Sequence, residues 1–151
     1  KGYLAALSAR QIDADDALMR SSEMTESYGY VSATEMLALD DPATAFIAAS
    51  LVPALGIRRA VEERGLRIGK DVSIICFDDQ ISYLSNGDRE PIYTATRSSV
   101  RAAGRQCARM LIEQIQSPEN PPQHALWEAD LVLGQSTGPA PAQHFKSQES
   151  S

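Results

Sequence analysis

Two adjacent carboxylates, Asp78 and Asp79, close a short apolar run at residues 72–77 and are the side chains best placed to do chemistry. Paired acids at a strand end can hold a metal, carry a phosphoryl group or accept hydrogen bonds from a polar ligand. The first two uses need more acids and a lysine from neighbouring strand ends. Here those ends are followed by Ala49-Ser50-Leu51 and Arg97-Ser98-Ser99, which supply none. The third use remains. An ionised carboxylate is acceptor-only and takes charge-assisted hydrogen bonds from the hydroxyls of a neutral polyol. Asp78 is the expected ligand contact, with Asp79 either a second contact or a cap of the loop that follows.

Other motifs lead to no chemistry. Gly134-Gln135-Ser136-Thr137-Gly138 has the G-x-S-x-G spacing of a nucleophile elbow, which requires a following helix and then an acid and a histidine. A Pro-rich segment follows instead, and the downstream histidine, His144, lies within it. The segment 65–70 (GLRIGK) has the flavour of a phosphate loop. Its glycines are one residue too close, Asp71 stands where Ser or Thr would bind magnesium, and a strand follows rather than a helix, so it reads as a turn. His124 and His144 sit in polar, Pro-rich surroundings, and no zinc site is expected. Cys76 and Cys107 fall far apart at apolar positions and are expected as buried free thiols. No catalytic residue, metal or cofactor is therefore expected.

A strand must carry Asp78 into place, and the preceding residues read as the rest of such a unit. A helical pattern runs from Pro53, tolerated in a first turn, to Arg64, with Gly65 as the C′ residue. Gly69, Lys70 and Asp71 turn the chain into the strand at 72–77. Upstream lie a short helix at 2–10, a weak strand candidate at 18–20 and an amphipathic helix at 27–39 through Tyr30, Ala33, Met36 and Leu37. Asp40, Asp41 and Pro42 stop that helix, and a buried strand is expected at 44–49. Downstream come a polar loop at 80–90, a strand at 93–97 and a helix marked by Val100, Ala103, Cys107, Leu111 and Ile115. Ser117-Pro118 ends the helix, a final strand is expected at 126–133, and residues 138–151 are too polar and Pro-rich to pack. The order is αβαβαβ with connections long enough for parallel crossovers. The expected fold class is α/β, a three-layer αβα arrangement with a mostly parallel sheet and its ligand at the strands' C-terminal ends.

Composition narrows the function. The chain has 151 residues, 43% of them hydrophobic and 23% charged, which suits one globular domain. A net charge of −6 with no basic cluster argues against direct contact with nucleic acid. Arg97, Arg101, Arg105 and Arg109, at four-residue spacing, read as a solvated or partner-facing stripe on one helix face. No apolar run spans a bilayer and no secretory signal opens the chain. A start at Lys1 directly into helical pattern suggests a piece of something longer.

Several segments, taken in order, resemble a known family. These are GYLAAL at 2–7, Tyr28-Gly29-Tyr30, Pro42-Ala43-Thr44-Ala45-Phe46, Ala54-Leu55-Gly56, residues 62–79, PIYTATR at 91–97, Gly104 and LVLGQST at 131–137. The series resembles the effector-binding domain of LacI/GalR transcriptional repressors, whose fold is that of type I periplasmic sugar-binding proteins, and it covers residues 2–137. The resemblance implies one lobe of a two-lobed clamp. Residues 1–98 would form the C-terminal lobe, 99–125 a crossover helix that packs on a first lobe absent here, 126–137 a return strand and 138–151 a disordered tail. The apolar stripe of the crossover helix should then be orphaned, or covered by a neighbouring molecule.

The same resemblance implies a cytoplasmic transcriptional regulator without catalysis. A small-molecule effector, a carbohydrate, would control operator DNA binding by a separate N-terminal helix-turn-helix in a homodimer, with no membrane partner. Asp78 then matches the family's sugar-hydroxyl carboxylate, and Met24 stands where a large side chain packs on the ligand. Ser50 and Leu51 stand where many members have Asn-Asp, which makes the pocket less polar. The stretch 93–100 (YTATRSSV) is loosely similar to repressors of α-glucoside utilisation, which suggests an α-glucoside effector. The helix 52–64 and the loop after Asp79 are the implied dimer surface. The alternative is a periplasmic sugar-binding protein of a transport system, and the repressor-like stretch 65–79 argues against it. A phosphatase would instead show magnesium-dependent, Asp78-dependent turnover of a phosphoester.

Overall fold

The computed structural model describes residues 1–80 and 83–141, so the part of the expected tail from 142 onward lies outside the described residues. The elements are α1 (Gly2–Ala9), α2 (Glu26–Met36), β1 (Ala45–Ala48), α3 (Leu51–Glu63), β2 (Ser73–Asp78), β3 (Thr94–Arg97), α4 (Val100–Gln116) and β4 (Asp130–Val132). Side-chain oxygens start two of the helices. Thr25 accepts from the Tyr28 N–H at 3.2 Å to open α2, and Ser99 accepts from the Ala102 N–H at 3.2 Å to open α4. At the end of α3, Gly65 takes φ = +72°, the left-handed C′ conformation anticipated from its position.

β1, β2 and β3 lie side by side and parallel, and β4 closes the far edge antiparallel to β3. This is the expected α/β class with a mostly parallel sheet. In β2 the period of two turns Ile74, Cys76 and Asp78 inward, at 0, 2 and 3% exposure. Ile74 and Cys76 share one core with Ala54, Ile57, Ala60 and Val61 of α3, and α2 joins it through Ala33 and Met36. Within this core, burial pushes the Cys76 thiol up to about 12. The sheet's other face is open at β1, where Ile47 is 70% exposed.

Helix α4 buries no residue. Val100, Leu111, Ile112 and Ile115 are 51, 61, 54 and 69% exposed, so its apolar stripe has no cover among the described residues. For the same reason Cys107 is exposed, and the expectation that it is buried is corrected. Arg97 ends β3, as the strand expected at 93–97 has it; because Ser99 caps a helix that begins at Val100, its grouping in one helical stripe with Arg101, Arg105 and Arg109 is corrected.

Three other elements depart from expectation. Residues 18–20 form no strand. Asp15 accepts from the Ala17 N–H at 2.8 Å and starts a 3-10 turn at Asp16–Leu18. The Arg20 guanidinium then folds back onto the carbonyls of Ala17 and Met19, both at 3.0 Å, which satisfies locally what a neighbouring strand would otherwise supply. Helix α2 ends at Met36, three residues early, in a turn closed by Ala38 N–H on the Glu35 carbonyl at 3.0 Å. The final strand shrinks to Asp130–Val132, because its pairing with β3 spans only that many residues. Gly138 lies against the start of β2, its N–H donating to the Ser73 hydroxyl at 3.2 Å.

The loop between β2 and β3 is pinned by one side chain. Asn86, 5% exposed, accepts from the Tyr93 N–H and donates to the Tyr93 carbonyl, both at 2.8 Å. Asn86→Ala leaves two buried backbone groups without partners and is expected to cost about 2 kcal/mol. Urea unfolding of the two proteins measures it, and a loss well under 1 kcal/mol would show that water reaches Tyr93.

Candidate functional site

The three parallel strands end on the same edge of the sheet, and each end delivers a polar residue there. β2 ends at Asp78, β3 ends at Arg97, and β1 is followed by Ala49 and by Ser50, the N-cap of α3. The parallel register sets Asp78 directly beside Arg97, and neighbours at one register position point to the same face. Their side chains meet. Arg97 Nε and Nη2 each lie 3.0 Å from Asp78 Oδ2, with side-chain exposures of 30% for Arg97 and 5% for Asp78.

The backbone completes the surroundings of Asp78. Its Oδ1 accepts the Gln80 N–H at 3.0 Å, and its carbonyl accepts the Ser98 N–H at 3.2 Å. Gln80 has φ = +55°, a left-handed conformation uncommon for a residue with a side chain. Such residues gather at ligand sites, where the surrounding structure holds them. This one turns the chain off the strand while aiming its N–H back at the carboxylate.

The other expected site residues divide. Asp79 is half-buried, and its carbonyl accepts the Val100 N–H at 3.5 Å. Ser50 is half-buried and makes no side-chain cap bond, so its hydroxyl is not consumed by α3. Leu51, at 2% exposure, belongs to the core rather than to the surface of the edge. Met24 is 64% exposed on the segment that enters α2. The structure thus ties Asp78 to Arg97 and Gln80, two residues the sequence reasoning did not assign to the site. The signal for Arg97 was Ser98-Ser99, a helix-start pattern that puts residue 97 at the end of a strand.

What this edge can do is hydrogen-bond. The two opposite charges of Asp78 and Arg97 at 3.0 Å offset one another, so this pair adds polarity with little net charge of its own. Ser136 offers no nucleophile: at 0% exposure its hydroxyl donates to the Ile74 carbonyl and accepts the Thr94 N–H at 2.9 Å. Segment 65–70 is the expected turn, closed by Gly69 N–H on the Val72 carbonyl at 2.8 Å. Among the described residues, no group of three or more His, Cys, Asp or Glu side chains could hold a metal. A cavity of about 290 Å³ lies at the opposite end of the sheet, lined by Leu37, Pro42, Leu66, Lys70 and Val72, away from Asp78. Among the described residues no helix is long and apolar enough to cross a membrane.

Comparison with known proteins agrees with this architecture. Residues 1–137 match the periplasmic binding protein-like domain family. The HTH-type transcriptional regulator AglR of Rhizobium meliloti is 42% identical over 141 residues, which are 93% of this chain and 40% of AglR. A solved complex of the transcriptional regulator CelR with cellobiose superposes with a TM-score of 0.77 at 26% identity, over 89% of this chain and 40% of that one. A LacI family regulator from Enterococcus faecium with bound ribose gives 0.76 at 27% identity, over 93% of this chain and 50% of that one. The chain spans about 40% of the length of AglR and 38% of MalR from Streptomyces coelicolor, a further curated relative. By its sequence and its fold, the chain belongs to the periplasmic binding protein-like domain family and is homologous to LacI-type transcriptional regulators.

Proposed function

We infer that this chain is the C-terminal part of the effector-sensing domain of a LacI-type transcriptional regulator, and that its effector is a neutral sugar. The observation that carries this is the Asp78–Arg97 pair, a charge-balanced hydrogen-bonding group at the C-terminal edge of a parallel sheet, where α/β folds take their ligands. The ribose and cellobiose held by the two solved relatives support a carbohydrate, and the name of neither selects an α-glucoside over other sugars.

In this reading residues 1–98 form one lobe, 99–125 cross to a second, and 126–137 return. The bare apolar stripe of α4 supports it, since a crossover helix seen without its lobe exposes that face. Asp78 contacts the sugar, with Asp79 and Ser50 beside it, Met24 packing across from them and Leu51 backing the edge from within the core. The protein performs no catalysis. Effector binding favours one arrangement of the lobes, and operator DNA, held by a separate helix-turn-helix in a cytoplasmic homodimer, responds through that shift.

Asp78→Asn is the test of the site. It keeps an oxygen for the Gln80 N–H and removes the charge, whereas Asp78→Ala would strand both Gln80 and Arg97. Calorimetric titration of the intact regulator with ribose, cellobiose and methyl α-glucoside is expected to find one that binds. Asp78→Asn should weaken that sugar about tenfold or more, the worth of one charge-assisted hydrogen bond. Unchanged affinity would remove Asp78 from the site.

A further inference from the structure

Asp78 is 3% exposed. Its acceptor capacity is also mostly spent. A carboxylate offers about four lone-pair directions. Oδ2 receives the Nε–H of Arg97 and has Nη2 against it as an ion-pair contact at 3.0 Å, and Oδ1 receives the Gln80 N–H. About one direction is left, on Oδ1. Arg97 is in the reverse position. A guanidinium has about five N–H groups, of which the two aimed at Asp78 leave about three. None of those three has another partner among the described residues, and the side chain is 30% exposed.

We propose that Arg97 is the specificity-determining contact of this lobe: it donates to the ligand's oxygens, while Asp78 holds the guanidinium in place and adds a single acceptor. The proposal rests on the reading of this edge as the effector site and deepens it. The pair presents several donors beside one acceptor. The matching ligand has two adjacent oxygens, one accepting from Arg97 and the other a hydroxyl that donates to Asp78 Oδ1. A neutral vicinal diol fits. A protonated amine at the same position would face the guanidinium and be rejected by like charge. The fork of Arg97 on one carboxylate oxygen fixes the plane in which the remaining N–H groups lie, which a lysine ammonium could not do.

The experiment compares neutral and amino sugars on the intact regulator. Calorimetry is run with ribose, cellobiose, methyl α-glucoside and the methyl glucosides carrying an amino group in place of each hydroxyl in turn. The wild type is expected to bind a neutral sugar and to disfavour at least one amino form of it. Arg97→Met should weaken the neutral sugar about tenfold and improve that amino form relative to it, because the Asp78 charge is then uncompensated. A purely structural role would weaken both alike. Arg97→Lys retains the charge but not the fork, and should lose several-fold for the neutral sugar with no gain for the amine. It decides the matter if thermal unfolding shows that Arg97→Met is not folded.

The outcomes separate the two levels. If Asp78→Asn abolishes sugar binding while both Arg97 variants stay within about twofold of wild type, Arg97 is not the contact and the site reading stands. If no sugar in the panel binds, or Asp78→Asn changes nothing, both the site and the role of Arg97 are overturned.

Discussion

Gly56→Ala is expected to cost about 3 kcal/mol of folding stability or more, while the same change at Gly104 is expected to add about 0.5–1 kcal/mol. Gly56 is buried on α3, and a Cβ there would run into the backbone of α2, at the Glu26 carbonyl and the Tyr30 nitrogen. Gly29 faces the other way across the same crossing, where a Cβ would strike the backbone of Pro53. Because the obstacles are backbone atoms, no rotamer relieves them, and the helices must move apart. Moving them opens the core shared by Ala33, Ala54 and Ile57, so the cost is that of lost packing as well as of the clash. Polar pairs along the rim would be stretched too: Tyr30 Oη donates to Glu63 at 2.6 Å, and Arg59 sits 4.0 Å over the Tyr30 ring. Those pairs are exposed and contribute little by themselves. Gly104 is the control. It lies inside α4, and a Cβ there meets nothing within 4 Å, so only helix propensity acts. Denaturant unfolding of both variants measures the pair of effects, and a Gly56→Ala loss under about 1 kcal/mol would mean that the crossing has slack.

The helix, turn and strand ending at Asp78 were legible because their signals are local. Pro53 near the start of α3, Gly65 after its end, and the alternation of Ile74 and Cys76 each act within a few residues. The class of the sheet followed from the order of those elements. The pairing of Asp78 with Arg97 was not legible, since it depends on the register of two strands whose residues are nineteen apart in sequence. Four-residue spacing grouped Arg97 with Arg101, Arg105 and Arg109 instead, because a spacing count does not know where a helix begins. Ser99 decides that point by capping α4. Leu18 and Met19 carry strand-like side chains, but a strand exists only with a neighbour, and the local bonds of Asp15 and Arg20 won. Cys107 follows from the same limit. Its apolar position predicts a buried thiol only if something covers α4, and among the described residues nothing does.

Ser136→Ala is expected to destabilise the chain by about 3 kcal/mol, although it removes one oxygen atom and introduces no clash. Ser136 wedges between β2 and β3 where the two strands start. Its hydroxyl donates to the Ile74 carbonyl and accepts the Thr94 N–H, and its own carbonyl accepts the Ile74 N–H at 2.8 Å. Thr94 answers from the other side, with its Oγ1 2.6 Å from Thr137 Oγ1 and accepting the Gly134 N–H at 3.0 Å. At 0% exposure no water can replace the lost hydroxyl, so a buried donor and a buried acceptor are both left short, at about 1–3 kcal/mol each. The damage should be directional. Amides of β3 are expected to lose hydrogen-exchange protection, while those of α2 and α3, which do not touch Ser136, keep theirs. Asn86 holds Tyr93, the residue before Thr94, so Asn86→Ala and Ser136→Ala release the same strand end from opposite sides. Once one pin is gone the start of β3 is already loose, and the second substitution should cost less than it does alone. A double-mutant cycle reads this as a coupling of about 0.5 kcal/mol or more. Additive losses would mean that the two pins hold independent segments, and that the position of Arg97 at the far end of β3 does not depend on Ser136.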